Sequence, residues 1–195
     1  MKQDYINYLL KIVNLFRKSI LRKMIIFGGG IGLKNVVKKA RKIKMIISDV
    51  DGVLTDGKII IGNNGQEFKA FNSQDGMGIN MAQKQGLRFA IITGRISKIV
   101  EIRAEELNIK DVYQDVDNKR AILKMIMDKY NLKKEELAYI GDDLNDLPVL
   151  NRVGLAVTVN NGVKKVRETA DYVTTRNGGQ GAVRETIDFI LACRD

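Results

Sequence analysis

A short apolar run, Met45-Ile46-Ile47, passes through Ser48 into two carboxylates one residue apart, Asp49 and Asp51, followed by Gly52. Two more apolar runs also end in polar clusters. The run from Leu87 leads into Thr93-Gly94-Arg95, and Leu137 to Ile140 leads into Gly141-Asp142-Asp143-Leu144-Asn145-Asp146. Lys119 opens a helical stretch between the last two. In an open parallel sheet the carboxyl ends of the strands share one edge, and ligands bind there. Asp49, Asp51, Asp142, Asp143 and Asp146 at one edge would repel one another unless a cation sat among them. The chain has no His and one Cys. An all-oxygen ligand set of this kind points to magnesium, which takes one or two carboxylates, waters and phosphate oxygens.

A phosphate group accounts for the remaining parts. The Thr93 hydroxyl can hydrogen-bond its oxygens, Lys119 can neutralise its charge, and magnesium can bridge it to Asp49. Asp49 is then a candidate nucleophile, forming an aspartyl-phosphate. Asp51 can protonate the leaving alcohol and later deprotonate the attacking water. The absence of His removes Ser-His-Asp and Cys-His catalysis and His-ligated zinc.

The elements that position these residues alternate between strand and helix, which predicts a Rossmann-like doubly wound α/β fold, a parallel sheet with helices on both faces. Strands are expected at 45–47, 87–93, 112–114, 137–140, 154–159 and 172–173. Helices are expected from Asp75 to about Gln85, from Ser97 to Leu107 (carrying Arg103), from Lys119 to Tyr130 and from Ala182 to Ala192. A cation in the first turn of a helix, as at Lys119, is unfavourable beside the dipole and calls for an anionic partner. Asn63-Asn64-Gly65 between Lys58 to Gly62 and Gln66 to Phe71 is a hairpin signal, so a β-hairpin insertion should project directly after the two acids.

The net charge of +10 is unevenly spread: residues 1–44 hold twelve Lys or Arg against one Asp, and the remainder holds 21 basic and 22 acidic residues. We therefore divide the chain into a basic amphipathic leader, 1–44, and a body, 45–195. The charge of the body gives no reason to expect nucleic acid as its partner. Residues 4–27 carry apolar positions at helical spacing, interleaved with Lys and Arg. This pattern suits an anionic membrane or a partner, and more simply a packing arm. Gly28 to Gly32 reads as a flexible break. The single Cys193 provides no disulfide framework and fits a reducing, cytoplasmic setting.

Asp49-Val50-Asp51-Gly52-Val53-Leu54-Thr55, Thr93, Lys119 and the Gly141 to Asp146 cluster resemble, in order and spacing, the four motifs of the haloacid dehalogenase superfamily of phosphohydrolases. The resemblance implies Asp49 as nucleophile, Asp51 as acid and base, and Thr93 and Lys119 as phosphate contacts. Magnesium would be held by the Asp49 carboxylate, the Asp51 carbonyl and Asp142, with Asp143 or Asp146 in support. Gly62 to Asn72, Asp75-Gly76, Ile92 to Arg95, Arg103-Ala104, Ala170 to Thr174 and Gly178 to Glu185 are similar to one branch, the phosphatases of 3-deoxy-D-manno-octulosonate 8-phosphate. That branch implies a phosphatase domain without a cap domain and a homotetramer built through the hairpin, its site closed by a neighbouring subunit and the glycine-rich tail. It further implies a sugar-acid phosphate substrate, with Arg95 and Arg103 contacting its acidic groups, in lipopolysaccharide precursor synthesis. A sister branch acting on nine-carbon keto-acid phosphates usually has Glu where this chain has Arg95. That branch, or a membrane- or nucleic-acid-associated role acting through the leader, is the alternative. The leader and the segment Asn160 to Arg167 depart from the branch pattern.

Overall fold

The computed structural model describes residues 30–194. The amphipathic pattern at 4–27 and Gly28-Gly29 lie outside the described residues. A six-stranded sheet forms from β1 (Met45–Ser48), β4 (Arg88–Ile92), β5 (Asp111–Tyr113), β6 (Leu137–Gly141), β7 (Leu155–Thr158) and β8 (Tyr172–Val173), in the order β5-β4-β1-β6-β7-β8. Every pairing is parallel. Chain order runs outward from β1 to one side, then crosses back to β6 and runs outward on the other. The sheet is therefore doubly wound, with its switch point between β1 and β6.

The local sequence explains the elements. All four residues of β1 are buried, as a strand covered on both faces requires. Ile46 joins a core with Ile79, Val100 and Ile187, whereas Met45 and Ile47 join a second core with Leu123, Ile126 and Val166. Successive side chains of a strand point to opposite faces, so one short run feeds both cores. The first core packs against α1 (Gly30–Ala40), α2 (Ser73–Lys84), α3 (Lys98–Glu106) and α7 (Ala182–Cys193). The second packs against α4 (Lys119–Tyr130), α5 (Leu147–Leu150) and α6 (Lys164–Thr169). α2 begins where the Asn72 side chain accepts from the Gln74 amide at 2.8 Å, and beyond its end Gly86 takes the left-handed conformation at φ +78°. Asn118 caps α4 in the same way, and Asn131 ends it in the left-handed region.

The expected glycine break is corrected from Gly30 onward, where α1 begins instead. Glycine is a poor helix former. Packing overrides that preference here: Val36 and Val37 lie against the first core, and Ala40 and Ile43 are fully buried in it. Lys39 pairs with Asp171, and Lys44 pairs with Glu136 at 2.6 Å. Residues 30–44 of the expected leader thus pack as part of the body. The short helices α5 and α6 were also not expected, because four and six residues are too few to show a helical period.

Between β1 and α2 the chain makes a hairpin from β2 (Ile60–Ile61) and β3 (Glu67–Phe68), antiparallel and shorter than expected, with Gly65 at φ +77° in its turn. Among the described residues this insertion stands in place of any cap domain. It exposes Ile59, Ile60, Ile61 and Phe68.

Because Ile43 joins α1 to the core, Ile43→Ala should destabilise the full chain by about 2–4 kcal/mol in urea unfolding. A change below about 0.5 kcal/mol, typical of a surface position, would show that α1 is only an appended arm.

Candidate active site

Ser48 lies level with Ile91 on β4 and Ile140 on β6. Asp49 therefore emerges from the sheet between the ends of these two neighbours, with Thr93 and Asp142 one residue further on. The sheet edge thus gathers the residues singled out from the strand ends, and it does so at the switch point.

The centre of the arrangement is Lys119. Its ammonium stands 2.7 Å from Asp49 Oδ2 and 2.8 Å from Asp146 Oδ1. The anionic partner expected for a cation opening α4 is thus a pair of carboxylates. Burial alone would lower the Lys119 pKa, but Asp49 and Asp146 outweigh it and raise it. Asp146 is fully buried. Its Oδ1 also accepts from the Tyr139 hydroxyl at 2.6 Å, and its Oδ2 accepts from the amides of Asp142 at 2.9 Å and Asp143 at 3.3 Å. Four donors saturate this carboxylate, which ties the loop after β6 to α4. Gly141 is needed for that closure, because a Cβ there would lie 2.4 Å from Asp146 Cγ.

Asp49 and Asp142 differ from Asp146 in having unfilled capacity. Asp49 Oδ1 accepts from the Val50 amide at 2.7 Å. Burial, with repulsion from Asp146, pushes the Asp49 carboxyl up to about 6 against the opposing pull of Lys119. Burial, followed by repulsion from Asp49, Asp146 and Asp143, pushes Asp142 up to about 7. Asp142 Oδ1 is buried and has no hydrogen-bond partner. Asp49 and Asp142 each offer an oxygen, and an oxygen of the saturated Asp146 lies with them, all within 4.8 Å of one another. Raised carboxyls and an orphaned buried oxygen in an all-oxygen set fit a hard divalent cation such as magnesium. Asp143 turns elsewhere: it is exposed, and its Oδ1 accepts from the Leu144 amide at 2.7 Å.

Asp51 lies on the turn beyond Asp49, where Gly52 takes φ +91° and a Cβ would come within 2.0 Å of Asp142 Oδ2. Its carboxylate pairs with Lys69, whose side chain is only 2% exposed, and lies 3.9 Å from Arg95 Nε. Glu67 completes the group: Oε1 accepts from Arg95 Nη2 at 2.8 Å, and Oε2 accepts from the Ser97 hydroxyl at 3.1 Å. Glu67 and Lys69 were missed in the sequence. The available signal was the alternation Glu67-Phe68-Lys69, which turns the two charges to one face of the strand and Phe68 to the other. Tyr139 was missed because it sits in an apolar strand and reads as core. Thr93 is buried, with its Oγ1 accepting from the Arg95 amide at 3.4 Å. Arg103 goes a different way from Arg95, bonding Glu106 at 3.0 Å and lying over the Phe71 ring.

Residues 96–187 match the family model of haloacid dehalogenase-like hydrolases. The 3-deoxy-D-manno-octulosonate 8-phosphate phosphatase of Escherichia coli K12 is 47% identical over 140 residues, covering 72% of this chain and 74% of that protein. The chain belongs to the haloacid dehalogenase-like hydrolases. Solved structures of such hydrolases share its fold. The Yersinia pestis 3-deoxy-D-manno-octulosonate 8-phosphate phosphatase superposes with a TM-score of 0.82 at 43% identity, covering 83% of this chain and 87% of that one. The Moraxella catarrhalis phosphatase of the same name, solved with magnesium, phosphate and KDO, superposes with a TM-score of 0.81 at 42% identity, covering 83% and 92%. Among the described residues of this hydrolase, no helix is long and apolar enough to cross a membrane.

The raised carboxyls have a consequence for stability. Asp49 and Asp142 favour their protonated forms in the fold, so the stability they confer is present at acid pH and is lost as pH rises through about 6 and 7. In metal-stripped protein the melting temperature should therefore fall between about pH 4 and about pH 7, and magnesium should restore it at the upper end. Asp142→Asn should flatten the pH dependence and abolish the magnesium response. A magnesium response that survives in that variant would contradict the ligand set.

Proposed function

We infer that this hydrolase is a magnesium-dependent phosphatase that cleaves 3-deoxy-D-manno-octulosonate 8-phosphate to the free sugar acid and phosphate, within lipopolysaccharide precursor synthesis. The observation that carries the reading is the Asp49–Lys119–Asp146 triad beside the unpartnered Asp142, in a chain 47% identical to an enzyme of that name. The comparisons favour the eight-carbon substrate over its nine-carbon alternative.

On this reading, an Asp49 carboxylate oxygen attacks phosphorus. The bond to the sugar oxygen breaks, and Asp51 gives that oxygen its proton, producing the alcohol and an aspartyl-phosphate. Asp51, now ionised, takes a proton from water, the water oxygen attacks phosphorus, and phosphate leaves Asp49 intact. Lys119 and the Thr93 hydroxyl hold the phosphoryl oxygens. Asp49, Asp142 and the Asp51 carbonyl are the groups that would hold magnesium. When bound, the ion supplies a Lewis acid that offsets the negative charge gathered between the carboxylates and the phosphate. Asp146 supports the metal ligands by fixing the loop that carries Asp142, a part that Asp143, turned to solvent, does not share.

Arg95 serves the substrate carboxylate, since a guanidinium pairs bidentately with such a group. Its place beside Asp51, shared with the hairpin residue Glu67, supports that role. Arg103, committed to Glu106 and Phe71, has less support as a second contact. The exposed apolar side chains of the hairpin are suited to burial between copies of the chain, in keeping with a homotetramer. The single Cys193, which is buried, accords with a cytoplasmic enzyme. We take the catalytic domain to include α1, because Val36, Val37 and Ala40 pack with the first core.

Asp49→Asn should reduce kcat/KM for p-nitrophenyl phosphate by at least about 10³-fold while the melting curve stays cooperative; retained turnover would remove Asp49 from its role. Arg95→Ala should raise KM for the eight-carbon sugar-acid phosphate and leave p-nitrophenyl phosphate hydrolysis nearly unchanged. Equal losses on both substrates would assign Arg95 to Asp51 instead. In a panel of eight- and nine-carbon keto-acid phosphates, comparable rates on unrelated sugar phosphates would defeat the narrow substrate assignment.

A further inference from the structure

Asp75 lies in the first turn of α2 and is 2% exposed. Its Oδ1 accepts from the Arg184 amide, in the first turn of α7, at 2.7 Å, while its Oδ2 is buried without a hydrogen-bond partner. The positive ends of two helices, its own and α7, therefore meet on one carboxylate. Burial pushes that carboxyl up to about 6, although the amides of Arg184 and Gly181 and the charges of Arg176 and Arg184 act in the opposite sense. A neutral Asn or Ser would cap a helix at less desolvation cost. Burying a carboxylate at this junction calls for a reason other than the cap alone.

The segment just before α7 leads from this junction to the catalytic turn. Glu185 accepts from the Thr175 amide at 2.8 Å and the Arg176 amide at 3.1 Å, and Arg176 donates to Gln74 of α2 at 2.6 Å. Asn72, the α2 cap, donates to the Gly179 carbonyl at 3.3 Å. The tip of the segment, Gly178-Gly179, lies directly on the turn that follows Asp51. The Gly179 amide donates to the Val53 carbonyl at 2.9 Å, and a Cβ on Gly178 would stand 1.7 Å from the Gly52 carbonyl oxygen. Gly52 in turn abuts the Asp142 carboxylate. Direct contacts thus run from Asp75, through the glycine loop, to the turn that carries Asp51 and to Asp142.

We propose that Asp75 is a positioning residue for hydrolysis: by tying the start of α7 to the first turn of α2, it seats the Gly178-Gly179 loop on the Gly52 turn and fixes Asp51 and Asp142 relative to Asp49. The proposal rests on the phosphatase reading above. Asp75 touches none of the reacting groups, so its effect belongs in kcat and not in substrate binding. A misplacement of about 1 Å at a reacting group can lower a rate by up to about 100-fold.

The test compares full-length wild type, Asp75→Asn and Gly178→Ala with p-nitrophenyl phosphate at saturating magnesium, alongside melting curves and amide hydrogen exchange. Asp75→Asn keeps the size but replaces the charge-assisted acceptance of the Arg184 amide with a weaker neutral one, and turns the second oxygen into a donating NH2 that cannot accept from the amides around it. It should stay folded, exchange faster over 175–184, and lose about tenfold in kcat with KM changed less than about twofold. Gly178→Ala, which forces the same contact apart from the other side, should show the same split. Unchanged kcat in Asp75→Asn overturns the proposal, as does a kcat loss that only tracks a loss of folded protein. Should Asp75→Asn not fold, wild-type kcat in Gly178→Ala overturns it and reduced kcat at unchanged KM supports it. Failure of the phosphatase reading is distinguishable, because wild type would then be inactive or Asp49→Asn would remain active.

Discussion

The site depends on one ammonium group placed between two carboxylates that would otherwise repel. Lys119 is nearly fully buried and meets Asp49 and Asp146 at almost equal distances. Removing one partner from such a group leaves an uncompensated buried charge, which is more costly than the pair is stabilising. The arrangement therefore fixes geometry more than it adds stability. Lys119 arrives on α4 from one core, Asp49 on the central strand, and Asp146 on the loop after β6, so the ion pairs join three separate elements at the switch point. Asp146, saturated by four donors, acts as a strut. Asp49 and Asp142 retain the capacity that a cation and a phosphate require.

Two parts of the chain close on this point from outside the sheet. The hairpin brings Lys69 and Glu67 to Asp51 and Arg95, while Ile60 and Phe68 on its opposite face are exposed. The glycine loop before α7 comes down on the other side of the same turn, at separations that side chains at Gly178 or Gly179 would not permit. The acid and base of the proposed reaction is therefore held from two directions, while the nucleophile is held by the sheet. This division suits the chemistry: Asp49 must stay in one place through both half-reactions, whereas Asp51 must exchange a proton with two different oxygens.

Much of this could be read from the sequence because it is local. Apolar runs ending in acids locate the sheet edge, and a cation opening a helix announces its anionic partners. α4 has the expected bounds, Lys119 to Tyr130, with Asn118 and Asn131 capping them. What could not be read depends on contacts between distant segments. The helix at Gly30–Ala40 contradicts the preference of its glycines and exists because Val36, Val37 and Ala40 find the core. The role of Asp146 depends on Tyr139 and Lys119. Arg95 and Arg103 look alike in sequence, but one reaches Asp51 and the other packs between α2 and α3. Asp75 resembles an ordinary first-turn acid until α7 is seen to begin on it.

The central claim, that Asp49 is the residue phosphorylated during turnover, is tested most directly by chemical trapping. The full-length enzyme, quenched during turnover of p-nitrophenyl phosphate with magnesium, is treated with borohydride, which reduces an acyl phosphate to an alcohol but spares a free carboxylate. Peptide mass spectrometry then locates the reduced side chain. The account predicts reduction at Asp49, dependent on substrate and absent from Asp49→Asn. Reduction at Asp51, Asp142 or any other carboxylate, with Asp49 unchanged, would contradict it.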